Sequence, residues 1–136
     1  MTDEGLRGAI VSVLRSEFAD LQLVLLFGSH ARGAVTPASD VDVALLVQGT
    51  MPAARLAELR DGLALALVRD VHLVDLRAAT TVLRHEIAHT GEVLYSVGGG
   101  AVEAFLDFVL SDYVRLNEAR AGILRDVRER GRVHGR

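Results

Sequence analysis

Two small groups of chemically capable residues stand ten residues apart in this chain. Gly28 and Ser29 close one apolar run, and after residues 30–39 come Asp40, Val41 and Asp42 at the start of the next. A glycine lets the backbone approach a bound anion closely. The turn after it can expose N–H groups at the start of a short helix, and Ser29 can donate its hydroxyl to a phosphate oxygen. Asp40 and Asp42, at i and i+2 on a strand, point to one face. Two carboxylates on one face are hard oxygen ligands suited to Mg2+, which keeps several waters and bridges to substrate phosphates. The pattern GS(x10)DxD therefore predicts a site for a nucleoside triphosphate and its Mg2+ ions. In a two-metal arrangement one ion activates an attacking hydroxyl and the other stabilises departing pyrophosphate. Neither half is specific alone, since Asp in turns often closes Asx-turns or caps helices. Their spacing between two strand-like runs carries the reading.

A third acid usually completes such a site, and the apolar segment 70–76 is where it should lie. By alternation Asp70, His72 and Val74 share one face and Val71, Leu73 and Asp75 the other, so only one set can face the metals. Arg32 could bind phosphate or pair with a carboxylate to hold its loop. Gly28 and Gly33 form G-x4-G, but Ala34 and Val35 stand where a P-loop requires Lys and Ser/Thr. His85-Glu86-Ile87-Ala88-His89 is a literal HExxH, yet Gly91 ends the segment at once, and the only later histidine is His134. Arg128 and His134 have an RNase-like spacing that we read as chance.

The scaffold must position these groups within 136 residues, half of them hydrophobic, which suits one globular domain. All 15 basic residues are Arg, so lysine nucleophiles, Schiff bases and a P-loop lysine are excluded. There is no Cys, which excludes disulfides and thiolate metal sites. The net charge of -3 comes from well-mixed charges and does not suggest nucleic-acid binding. No apolar run is long enough to span a bilayer, and the expectation is a cytoplasmic protein.

Apolar spacing predicts a helix over 3–18 capped by Thr2 or Asp3, then strands over 21–27 and 41–48. A helix starting near Thr50 and Pro52 presents Leu56, Leu59, Leu63 and Leu67 to the core. A third strand over 70–76 leads to a short helix opened by Thr80 or Thr81 and capped by Gly91. A peripheral strand over 92–97 follows. Gly98 to Gly100 read as a linker to a last helix, about 101–128, with Val102, Phe105, Val109, Tyr113, Leu116, Ile123 and Val127 on one face. The basic, Gly-interrupted end, RERGRVHGR, is expected to fray. The element order gives an α/β or α+β domain.

At GSHARG, SDVDVALLV and VHLVDLRAATTVLRHEIAHTGEVLY the chain resembles the DNA polymerase β-like nucleotidyltransferase superfamily. Within it, the likeness is to the minimal nucleotidyltransferases (MNT) of the MntA-type adenylyltransferase antitoxins. The resemblance covers about residues 20–97, and the last helix by position only. It implies a nucleotidyltransferase fold, a small mixed sheet flanked by helices with a long C-terminal helix. Residues 1–97 would form the minimal domain, and helix 101–130 would pack on it or on a partner. The implied activity is Mg2+-dependent transfer of AMP from ATP to a tyrosine of a HEPN-domain RNase toxin, in a hetero-oligomer without nucleic acid or membrane. Gly28, Ser29 and Arg32 would bind the nucleotide. Asp40 and Asp42 would hold metal, with Asp40, Asp42 and His72 catalytic. His72 stands where the family leads us to expect an acid. Neutral His can accept a proton or bind metal, though it is a softer ligand than Mg2+ prefers; Asp70 could substitute. Alternatives are a catalytically weak MNT-fold module that neutralises its partner by covering it, and an adenylyltransferase acting on a small aminoglycoside-like molecule.

Overall fold

The computed structural model describes residues 2–31, 33 and 40–134, the last four by backbone alone. Helix α1 (Asp3–Glu17) starts at Thr2, whose side chain accepts from Gly5 N at 3.0 Å. Asp3 and Glu4 in its first turn suit the positive end of the helix. Strands β1 (Leu23–Phe27) and β2 (Val41–Leu46) follow, then α2 (Ala53–Leu67), which begins after Pro52. The chain continues through β3 (Val71–Asp75), α3 (Thr81–Thr90), β4 (Glu92–Ser96) and α4 (Ala101–His134).

The four strands form one sheet in the order β3-β2-β1-β4. β1 is antiparallel to both neighbours, whereas β2 and β3 are parallel. A parallel pair needs a long crossover, and α2 supplies it. Because β1 and β2 are central, their side chains are covered on both faces, and both strands read as continuous apolar runs. One face carries Val24, Leu26, Val41, Val43 and Leu45 against Leu6, Ile10 and Leu14 of α1 and Leu59, Leu63 and Leu67 of α2. The other carries Leu23, Leu25, Ala44, Leu46 and Val74 against Ile87 of α3 and Val102, Phe105 and Val109 of α4.

Gly91 caps α3 as expected, its N–H donating to the Ile87 carbonyl oxygen at 2.7 Å, with φ -74 rather than in the left-handed region. A Cβ there would instead lie 2.5 Å from the Ile87 carbonyl oxygen, so close backbone approach requires the glycine. One expectation is corrected: the last helix, expected to end near residue 128, continues to His134. Arg130 pairs with Asp126 at 2.9 Å one turn back, the spacing at which ion pairs support a helix.

α3 is fastened to α4 by polar contacts as well as by core packing. Asp112 accepts from Thr81 Oγ1 at 2.7 Å and from Arg84 Nη2 at 2.8 Å. These donors, the Thr81 hydroxyl first, hold the Asp112 carboxyl below its ordinary value. A depressed folded value means the carboxylate stabilises the fold above the ordinary carboxylate range, and the contribution fades as pH falls through the folded value. Asp112→Asn should therefore melt below wild type at pH 7, with the gap closing toward pH 3. Thermal melts across that range check this, and a gap independent of pH would contradict it.

Candidate active site

The register of the sheet sets three side chains in a row. Phe27 of β1 lies opposite Asp42 of β2, and Asp42 lies opposite His72 of β3. All three are on the α3/α4 face, since Ala44 and Leu46 follow Asp42 at i+2 and i+4 into that core. The row stands where β1 ends and β2 and β3 begin. The His72 side chain there is 59% exposed and Asp42 23%.

The carboxylate of Asp42 is gripped from two sides. Its Oδ1 faces His72 Nδ1 at 3.3 Å. Its Oδ2 occupies the space that a Cβ on Gly28 would need. Gly28 has φ +70, a left-handed conformation that glycine adopts without steric cost. The glycine selected from sequence for close approach to phosphate thus also makes room for the neighbouring carboxylate. The Phe27 ring meets the His72 ring edge-on at 6.1 Å and backs the row from the β1 side.

Ser29 is half-buried in the turn after Gly28, and Asp40 is exposed immediately before β2. Arg32 lies outside the described residues. Asp70 is exposed; its carbonyl accepts Val41 N at 2.9 Å, which ties the entry of β2 to that of β3. Asp75 is turned away from the row and buried, 4% exposed. It accepts from Arg77 N at 3.1 Å and Met51 N at 3.3 Å, holding the loops at the opposite end of the sheet.

His30 is a feature that sequence reasoning passed over. It is buried beside Ser29, and among the described residues neither ring nitrogen has a hydrogen-bond partner. Burial first, and the nearby charge of Arg69 second, push its imidazole below the ordinary value, so it fills space as a neutral ring. The backbone of Asp40 pulls the other way without reaching hydrogen-bond geometry. Strand alternation stops at Gly28, and no periodic signal in the turn marks His30 as internal.

The donor set fits Mg2+. Two carboxylates two residues apart offer hard oxygens, and Asp42, in contact on both sides, keeps lone pairs on each oxygen for a cation. The HExxH histidines are elsewhere: His85 stacks on Tyr113 of α4, with centroids 3.6 Å apart, and so packs α3 against α4. Among the described residues no group of three or more His, Cys, Asp or Glu could hold a metal ion.

Comparison with known proteins shows what the whole chain is similar to. The family model described as Polymerase beta, Nucleotidyltransferase matches residues 9–97. The chain is similar to Protein adenylyltransferase MntA of Shewanella oneidensis, at 38% identity over 118 residues, covering 87% of this chain and 84% of the relative. It is also similar to a solved toxin–antitoxin complex with AMP-PNP, with TM-score 0.80 and 37% identity over 89% of this chain and 97% of the other. A tri-AMPylated Shewanella oneidensis HEPN toxin in complex with its MNT antitoxin matches with TM-score 0.77 and 34% identity, covering 93% of this chain and 98% of the matched one.

Proposed function

The chain belongs to the polymerase beta nucleotidyltransferase family, and from that premise we propose that it is an antitoxin that transfers AMP from ATP to a tyrosine of a partner HEPN toxin. The observation that carries this reading is the Asp42 carboxylate, held between His72 and the bare Gly28 beside the glycine-serine turn. The protein acts in the cytoplasm. No helix among the described residues is long and apolar enough to cross a membrane. Residues 1–97 carry the catalysis, and α4 serves the partner.

The turn at Gly28 and Ser29 binds the triphosphate through backbone N–H groups and the Ser29 hydroxyl, with Arg32 as a counter-charge. Asp40 and Asp42 would hold Mg2+, which would supply charge neutralisation at the phosphates and at the leaving pyrophosphate. The acceptor oxygen bonds to the α-phosphorus, the bond from that phosphorus to the α,β-bridging oxygen breaks, and pyrophosphate leaves. His72 fixes the carboxylate by donating Nδ1–H to Asp42 Oδ1. Its Nε2 is then the acceptor for the hydroxyl proton.

The direct experiment incubates the protein with α-labelled ATP and its HEPN toxin partner. Label on a toxin tyrosine is expected, and label found only on a small aminoglycoside-like acceptor would replace this reading. His72 also suggests a metal site short of one hard ligand. His72→Asp should lower the Mg2+ concentration for half-maximal transfer roughly five- to tenfold, because a further carboxylate suits this cation better than imidazole. A Mg2+ titration of both proteins decides the point, and an unchanged midpoint would show that residue 72 does not serve the metal.

A further inference from the structure

Helix α4 runs past the body of the protein. Val102, Phe105 and Val109 in its first half are buried, between 2% and 8% exposed. At 3.6 residues per turn, Ile123, Leu124 and Val127 fall on the same side of the helix. These three are 63%, 60% and 59% exposed. From Asn117 to Arg130 every residue except Gly122 is exposed. The overhang is about 20 Å long at 1.5 Å per residue. A single exposed Leu needs no explanation, but a contiguous stripe continuing a buried seam does.

Charge narrows what covers it. Arg120 falls within the stripe and Arg128 on its flank. Neither has an ion-pair partner among the described residues, whereas Arg115 pairs with Asp112 and Arg130 with Asp126. Glu118 and Glu129 fall on the back of the helix. Two copies packed stripe to stripe would bring Arg120 of each into one desolvated seam, whose edge acid, Asp126, is already paired with Arg130, an arrangement that costs stability. The complement is a different surface, apolar at its centre and acidic at its rim.

We propose that the overhang of α4 docks into an apolar, acid-rimmed groove on the HEPN toxin, so that one helix packs on the catalytic domain with its first half and on the acceptor protein with its second. The proposal rests on the function given above. It locates the grip on the toxin at Arg120, Ile123, Leu124 and Val127, apart from the residues that handle ATP.

The test uses the full chain and its HEPN toxin partner. Ile123→Glu with Val127→Glu changes two exposed positions, and circular dichroism and melting verify that the fold is kept. Toxin affinity is measured by calorimetry, and AMP transfer is measured against toxin concentration. The Kd should rise at least about 100-fold, as for loss of central apolar anchors. The KM for toxin should rise with it, while kcat stays within about threefold because the reacting groups are untouched. Glu118→Lys, on the back of the helix, should leave the affinity unchanged. Wild-type affinity in the double variant would overturn the proposal. So would a free wild-type chain that sediments as a dimer and becomes monomeric in the variant, since the stripe would then be a self-interface. Tight binding through the stripe without any AMP transfer would refute the enzymatic reading and leave the docking surface standing. Transfer by the variant at an unchanged KM would do the reverse.

Discussion

Asp42→Ala is expected to lower AMP transfer to the toxin by at least about a thousandfold, some 4 kcal/mol of transition-state stabilisation. Asp42 is the inward carboxylate of the pair, on a central strand, with His72 on one oxygen and Gly28 beneath the other. Removing it takes away the proposed hard ligand and the group that His72 contacts, while the apolar strand around it is unchanged. The toxin should still bind with near wild-type affinity. Label transfer from α-labelled ATP, read beside a binding isotherm, separates the two effects. Transfer within tenfold of wild type would rule out the site as drawn. An Asp40/Asp42 double variant that still neutralised the toxin in cells would indicate that covering the partner suffices.

Gly28→Ala should have the next largest effect, and for a different physical reason. At φ +70 an L-residue loses about 1–2 kcal/mol to left-handed strain. The added methyl would also collide with Asp42 Oδ2, and the carboxylate would have to swing off the position that His72 holds. Transfer should fall at least about 100-fold, more than the loss of stability accounts for. Gly33→Ala separates the causes: Gly33 has φ +71 but, among the described residues, nothing within 4 Å of its Cβ position, so it carries the strain without the collision with Asp42. Urea midpoints and kcat/KM for both variants make the comparison. Equal activity losses in the two would show that strain alone matters at Gly28.

The strands could be read from the sequence because β1 and β2 are central and buried on both faces, which makes them uninterrupted apolar runs. The expectation that Asp40 and Asp42 share a face rests on the two-residue period of a strand, and β2 begins only at Val41, after Asp40. The contact of His72 with Asp42 does not. It depends on the register in which α2 returns the chain, and no local pattern encodes the pairing of residue 42 with residue 72. Asp75 shows the converse case, where alternation alone separates it from the His72 face. Gly91 was legible as a punctuation mark, but its cause, contact with the Ile87 carbonyl, is tertiary. The end of the last helix was misjudged because Gly and Arg content suggested an early stop, while the pairing of Asp126 with Arg130 favours continued helix.

The length of the α4 overhang bears on how long the free protein survives. A helical segment of about fourteen residues without tertiary support is marginal in water. In the free chain, therefore, this segment opens far more often than the central strands that carry Asp42. Arg120, Arg125, Arg128 and Arg130 all lie on it, and none is masked by packing. A protease that cleaves after arginine would trim this end first and leave the nucleotide site whole. Under the proposed docking, loss of the partner would thus expose this protein to cutting at the segment proposed to recognise it, before any damage reached the strands that carry Asp42.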